Sequence, residues 1–407
     1  MTEWISAGEA ASRLGIKQAT LYSYVSRGVL RRQRAPGGRG SLFDPDEVEA
    51  VARRGRPRHP PGIAELVIES GLTEIADDHL RFRGHDAVDL AREVRLEDAA
   101  ALLWRGGMPP GGAPPDEWRA TAAAVAAGAA AQAALPPGTL PLERLQVIVP
   151  ALAAADPLRL HLDPAAVIAA GKVIIAGMVD CLPVAGGSRP GAGPGITERL
   201  WHKVCPAQQR AGLHDAMRAA LVLLADHELA ASTLAARVAA SVRADPYAVV
   251  ATGLGALGGA LHGGASLGAE AMLSAASTPE DAPRVVGDLL RRGERVPGFG
   301  HFVYRAGDPR AGFLLALVRR AVPGSPNLAV ADAVLAETHR RALPEPNIDF
   351  ALAVLARCAG MIPGAGEAIF AVARTVGWLA HALEEYAGST PLRPRAVYTG
   401  PGPVDRE

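Results

Sequence analysis

From about Ile63 onward, this chain offers almost nothing from which a large β-sheet could be built. Apolar residues recur at helical spacing in a succession of Ala- and Leu-rich segments: Val88 to Leu103, Pro115 to Leu135, Pro141 to Ala155, Pro164 to Leu182, Gln208 to Ala225, His227 to Val242 and Tyr247 to Leu261. Gly and Pro punctuate these segments and mark the turns between helices. The one strand-like piece is Leu66 to Phe82, in which Leu72–Ile75 and Leu80–Phe82 flank a turn at Asp77-Asp78. The expected fold class is therefore all-α. A length of 407 residues allows two or three domains and a sizeable core. The most apolar-looking stretch, Ala120 to Leu135, is mostly alanine, too short and too weakly hydrophobic to span a bilayer.

The first 58 residues are built differently. They hold eleven basic side chains against six acidic ones, whereas the whole chain has a formal charge of zero. Ser6 is a helix N-cap with Glu9 at the capping-box position, and Ala10, Ala11 and Leu14 follow at helical spacing. Gly15 ends that helix, Ile16 packs the turn, and a second helix is expected from about Gln18 to Ser26, with Leu21 and Val25 on its core face. A basic hairpin-like tip covers residues 31–40, followed by Phe43 and a short helix from Asp44. The run Arg53-Arg54-Gly55-Arg56-Pro57-Arg58-His59-Pro60-Pro61-Gly62 reads as a linker. The expected division is 1–55, a linker at 56–62, and 63–407.

Helix, turn, helix, basic wing and helix in this order resemble the winged helix-turn-helix of the MerR and excisionase type. The resemblance implies that Lys17, Gln18, Thr20, Tyr22, Ser23 and Arg27 face a DNA major groove, and that Arg31, Arg32, Arg34 and Arg39 of the wing neutralise phosphates. A module of this size binds weakly alone, so a dimer would be needed. The alternative is a small helical domain that contacts protein, its arginines simply solvated.

Chemistry is concentrated in the last third. Leu261-His262-Gly263-Gly264-Ala265, Pro297-Gly298-Phe299-Gly300-His301 and Pro346-Asn347-Ile348-Asp349-Phe350 each place one ionisable residue in a glycine- or proline-rich setting. Two histidines and an aspartate are what is needed to remove a weakly acidic proton and stabilise the resulting enolate. Their order and local sequence resemble the citrate synthase family. Further similarity lies in Glu69 to Asp86, in Leu102 to Gly107, and in the run from Gly298 to His301 followed by Asp308-Pro309-Arg310.

That resemblance implies an all-helical enzyme with a large and a small domain, the small one at roughly 270–375. It implies condensation of acetyl-CoA with oxaloacetate, the acyl group becoming an alkyl group on transfer. Asp349 would be the base, His262 the donor to the enolate oxygen and His301 the donor to the ketone of oxaloacetate. His227, Arg310, Arg374 and Arg393 match substrate-binding positions, with Arg393 reaching across a homodimer. Val296, Pro297, Gly298, Phe299, Gly300, Arg305 and Asn347 match positions that hold coenzyme A. Two alternatives stay open: 2-methylcitrate synthesis from propionyl-CoA, and a DNA-binding regulator that uses the fold to sense acyl-CoA or oxaloacetate.

The sequence departs from the family pattern at two places. Ser266-Leu267 stand where many relatives carry Asn-Glu after the His-Gly-Gly-Ala motif, and Leu229-Ala230-Ala231 offer no amide where relatives often carry Asn. Gly253 to Gly258 has the glycine spacing of a dinucleotide fingerprint but lies in a helical pattern with no strand before it. Asp226-His227-Glu228 lacks a second His four residues on and a nearby Cys, so no metal is expected. No cofactor is implied beyond the acyl-CoA substrate. Three unpaired-looking cysteines and the lack of a signal-peptide pattern give the expectation of a cytoplasmic protein with no membrane partner.

Overall fold

The computed structural model describes residues 4–14, 16, 18–26, 29–34, 40–53, 67–109, 116–186, 193–207 and 210–394. By its internal contacts the chain divides into two units, 1–69 and 70–407.

In the first unit, helices Ala7–Leu14, Gln18–Ser26 and Pro45–Arg53 accompany a three-stranded sheet. Strand Ser41–Phe43 lies at its centre, antiparallel to Ile5–Ser6 and to Arg32–Arg34. The first helix starts where expected, since Ser6 Oγ accepts the Glu9 N–H at 3.2 Å. Leu21, Leu30, Phe43 and Val48 join Ile5, Ala10, Ala11 and Leu14 in a small core. Arg32 and Arg34 are exposed two residues apart on the edge strand, hence on one face of it. Arg31 is also exposed, but its guanidinium and its backbone N–H both donate to Glu47. Tyr22 is exposed and donates to Ser41 Oγ, and Thr20 is half-buried. Lys17, Arg27 and Arg39 lie outside the described residues, as do the side chains of Gln18 and Ser23.

Among the described residues of the second unit, the regular elements are helices apart from strands Thr73–Ala76, His79–Phe82 and His85–Asp86. Asp77 and Asp78, both at positive φ (51° and 59°), form the two-residue loop that joins the first two strands. This is the backbone that a tight hairpin with native twist requires. Helix Ala365–Ala387 runs through the core, with residues 365–380 all buried. It packs against Ala231–Ser241, Pro246–Leu257, Pro164–Cys181 and Leu96–Arg105. The Gly253 to Gly258 spacing serves this packing: a Cβ at Gly253 would lie 2.6–2.8 Å from the Trp378 indole. Pro164–Cys181 is long and apolar enough to cross a membrane by composition, yet over half of it is buried in this core.

The helix expected from Pro115 begins only at Ala122, where the Thr121 hydroxyl caps the Ala124 N–H, and three others also differ, each for a local reason. The segment 88–103 is two helices, Ala87–Glu93 and Leu96–Arg105, because Arg95 is extended and its N–H is capped by the Asp98 carboxylate. The segment from His227 is not helical until Ala231; Glu228 adopts φ 54° and a β-bridge joins His227 to Leu229. Helix Pro246–Leu257 stops before Leu261, where the Gly263 N–H turns back to the Leu257 carbonyl at 2.9 Å. The last two breaks deliver His227 and His262 to the site.

Candidate active site

His262 lies in the turn ahead of helix Gly264–Ser274. Gly263 is required there, since a Cβ would fall 2.6 Å from the Leu257 carbonyl oxygen. His262 Nε2 is 2.7 Å from Ser232 Oγ, which in turn accepts the Trp378 indole N–H at 3.3 Å. The indole takes one acceptor site of the serine oxygen and leaves the serine's own proton available to Nε2. With the serine donating in that direction, the neutral ring carries its proton on Nδ1, the nitrogen left to act as donor. Burial, and after it the Arg374 charge, push the His262 pKa down to about 4.

His301 has the opposite tautomer. Its Nδ1 accepts the backbone N–H of Val303 at 3.0 Å, which leaves Nε2–H as donor. Burial, then Arg310, lower its pKa to about 4 as well. The ring lies 5.2 Å from that of His227, whose Nε2 is 2.9 Å from Tyr304 Oη. His227 is held well below the usual range by burial and by Arg310, Arg374 and His301. All three imidazoles are thus neutral at pH 7: donors and acceptors, not cations.

The loop that carries His301 is docked by backbone pairing. Gly300 N–H donates to Glu345 O at 2.8 Å and Asn347 N–H to Gly298 O at 2.9 Å, with a β-bridge between Phe299 and Pro346. Phe299 stacks at a tilt on Phe350, ring centroids 4.9 Å apart, and Val296 is buried. Asn347 helps hold this joint: its Oδ1 caps the Asp349 and Phe350 N–H groups and one Nδ2–H donates to Gly300 O. Of the positions matched to coenzyme A, Asn347 also shapes the loop, and Arg305 is exposed. The backbone N–H groups of Arg305 and Ala306 are held by the Asp78 carboxylate of the hairpin turn.

Asp349 stands in the first turn of helix Ile348–Ala359. Burial raises its pKa to about 6, against the lowering effects of Ser266 and Arg310. Its Oδ1 accepts the Ser266 hydroxyl at 2.5 Å. A carboxylate with a pKa near neutrality is well placed to take up a proton reversibly.

Arg310 and Arg374, both buried, differ in their partners. Arg310 is tied to Asp308 through Nε and Nη2, at 2.9 and 2.8 Å, and the Asp308 carboxylate also caps the Ile348 N–H. Arg374 donates Nε to the Leu224 carbonyl and lies 4.7 Å over the Phe370 ring, while both its Nη atoms lack a protein partner among the described residues. Burial, opposed by Asp226 and helped by Arg310, lowers its pKa to about 10, so it stays charged. It is a buried cation with a free fork, the geometry that binds a carboxylate in two places. Behind it, Asp226 accepts from Thr73 and His381, and Arg237 joins His381 to Glu384 and Glu385. Arg393 is exposed near the end of the described residues.

Sequence reasoning reached the three ionisable groups and the arginines but not Ser232, Tyr304, Asp308 or Asp78. Asp308 was visible as part of Asp-Pro-Arg, an N-cap signature; the other three act through contacts between distant segments.

Comparison with known proteins agrees with this geometry. The family described as citrate synthase, C-terminal domain, matches residues 63–395. Citrate synthase 2 of Bacillus subtilis is 31% identical over 358 residues, 82% of this chain and 93% of that protein. The 2-methylcitrate synthase of Mycobacterium tuberculosis is 27% identical over 366 residues, 85% of this chain and 91% of that protein. Among solved structures, citrate synthase from Thermotoga maritima superposes with a TM-score of 0.69 at 25% identity, covering 84% of this chain and 95% of that one. With a family match over residues 63–395 and a relative 31% identical over most of both chains, the chain belongs to the citrate synthase family.

Proposed function

We propose that this protein condenses acetyl-CoA with oxaloacetate to give citrate and free coenzyme A. The reading rests above all on the buried Asp349 carboxylate, its pKa raised to about 6, in a unit that also holds the His262 and His301 imidazoles neutral. In the reaction Asp349 takes a proton from the thioester methyl group, and His262 Nδ1–H stabilises the oxygen of the enolate formed. The enolate carbon attacks the ketone carbon of oxaloacetate, whose oxygen receives the proton of His301 Nε2. Water then cleaves the citryl thioester. Donors placed in advance in a poorly hydrated site act more strongly than in water. The Arg374 fork, Arg310 and His227 would hold the carboxylates.

Leu261 and Phe302 are almost wholly exposed beside His262 and His301. Movement of the segment at roughly 270–375 over bound substrates would cover them and exclude water until the carbon–carbon bond is made. Arg393, exposed in a single chain, would complete the site of a partner subunit in a homodimer.

Release of free thiol in the presence of oxaloacetate tests the reading, with acetyl-CoA and propionyl-CoA as alternative donors. Faster release with propionyl-CoA would assign 2-methylcitrate synthesis, since one methylene is worth only about 1–3 kcal/mol of discrimination. No release with either donor from folded protein would remove the enzyme reading.

For the first unit we propose a winged helix-turn-helix that binds DNA, supported by its order of elements and by exposed Arg32 and Arg34. Because Arg31 is engaged by Glu47, the wing contributes fewer free cations than its sequence suggests. Affinity for duplex DNA across a salt series tests this. Phosphate contacts make the logarithm of affinity fall with the logarithm of salt, and an absent or salt-independent signal would favour a protein-contact domain.

A further inference from the structure

We propose that Ser266 is a positioning residue for the base, holding one oxygen of Asp349 and leaving the other to take the substrate proton. This rests on the assignment of Asp349 as base. Ser266 is fully buried, and its hydroxyl lies 2.5 Å from Asp349 Oδ1 across 83 residues of sequence. Asp349 Oδ2 has no hydrogen-bond partner among the described residues. Ser266 also stands in the first turn of the helix that follows His262: its N–H donates to the Gly263 carbonyl at 3.0 Å, and the Ala265 N–H donates to the His262 carbonyl. One hydroxyl thus ties the base to the segment carrying the proposed enolate donor, setting their spacing through rigid backbone.

The charge environment gives the hydroxyl a second consequence. Asp349 is faced by Arg310 and Asp308 at the start of helix Pro309–Ala321, and by Arg374 and Glu367 on helix Ala365–Ala387. Glu367 is itself raised to about 7 by burial and by Glu270, Glu143 and Asp349. Arg310 is already neutralised by its bidentate contact with Asp308. The Ser266 hydroxyl is then the neutral donor in direct contact with the carboxylate, and a donor to the charged form favours ionisation.

The test is the pH dependence of kcat/KM in full-length protein, which reports groups of the free enzyme. Wild type, Ser266→Ala, Ser266→Cys and Asp349→Asn are compared, with a melting temperature for each. Removing the hydroxyl moves the acid limb upward by about one pH unit. For a limb starting at about 6, the loss at pH 6 then exceeds the loss at pH 8 about five-fold. Cysteine keeps the volume but is a weak donor, so it shifts the limb in the same direction. A uniform loss at all pH values, or an unmoved limb, in a folded variant overturns the proposal. If Asp349→Asn keeps wild-type activity, the base assignment fails, an outcome separate from failure of the Ser266 role.

Discussion

Gly298 and Gly293 both have positive φ, 80° and 73°, yet they differ in what surrounds them. A Cβ at Gly293 would meet nothing within 4 Å, whereas at Gly298 it would lie 2.8, 2.9 and 3.0 Å from Phe350 Cβ, Cα and N. Alanine at either position incurs the left-handed backbone penalty of about 1–2 kcal/mol. Only at 298 must backbone also move, at about 1–3 kcal/mol more. That movement acts on the pairing with Asn347 and Glu345 that seats the His301 loop. A shift of about 1 Å in a catalytic group is worth about 10²-fold. The expected result is that Gly298→Ala lowers kcat/KM by tens- to a hundred-fold and destabilises by about 2–5 kcal/mol. Gly293→Ala costs only the backbone term, with activity within about two-fold of wild type. Thiol-release kinetics and urea denaturation on both variants measure this. Equal effects at the two glycines would refute the argument that close docking on Phe350 aims His301.

Arg374→Lys removes the free fork and the donor to the Leu224 carbonyl while keeping a positive charge. It should raise KM for oxaloacetate about 30-fold or more and KM for acyl-CoA far less, which initial-rate kinetics with each substrate varied will check. A second prediction concerns stability and pH. His262 and His301 titrate near 4 in the folded chain, against an ordinary value of 6.5. Between these values the unfolded chain binds more protons, so these groups' contribution is complete above pH 6.5 and is lost as pH falls toward 4. Asp349, raised to about 6, opposes them between its ordinary 3.8 and that value. Denaturant midpoints from pH 4 to 7 should therefore rise less steeply in His301→Gln than in wild type.

The fold class was legible because helical periodicity is local, and so was the hairpin with its Asp77-Asp78 turn. His262, His301 and Asp349 were legible because each is framed by Gly or Pro needed to shape a turn. Other features depend on segments far apart in the chain. Nothing near His262 announces its contact with Ser232 and, behind it, Trp378, and nothing near Asp349 announces Ser266. The same holds for His227, assigned to a helix by the apolar residues after it. Glu228 in the left-handed region instead delivers the ring to Tyr304 and His301. Asn347 shows the converse limit. Its position matched a ligand-binding one, and the structure adds that its amide also caps a helix and holds a loop.

The central claim is that Asp349 removes a proton from the acyl methyl group so that carbon–carbon bond formation follows. Acetyl-CoA carrying three methyl deuterons, incubated with oxaloacetate and the protein, tests it directly by mass spectrometry. The account predicts citrate that retains two deuterons, formed in step with free thiol, and loss of both signals in Asp349→Asn. Thiol released alongside acetate with all three deuterons, or an unchanged rate in Asp349→Asn, would contradict it.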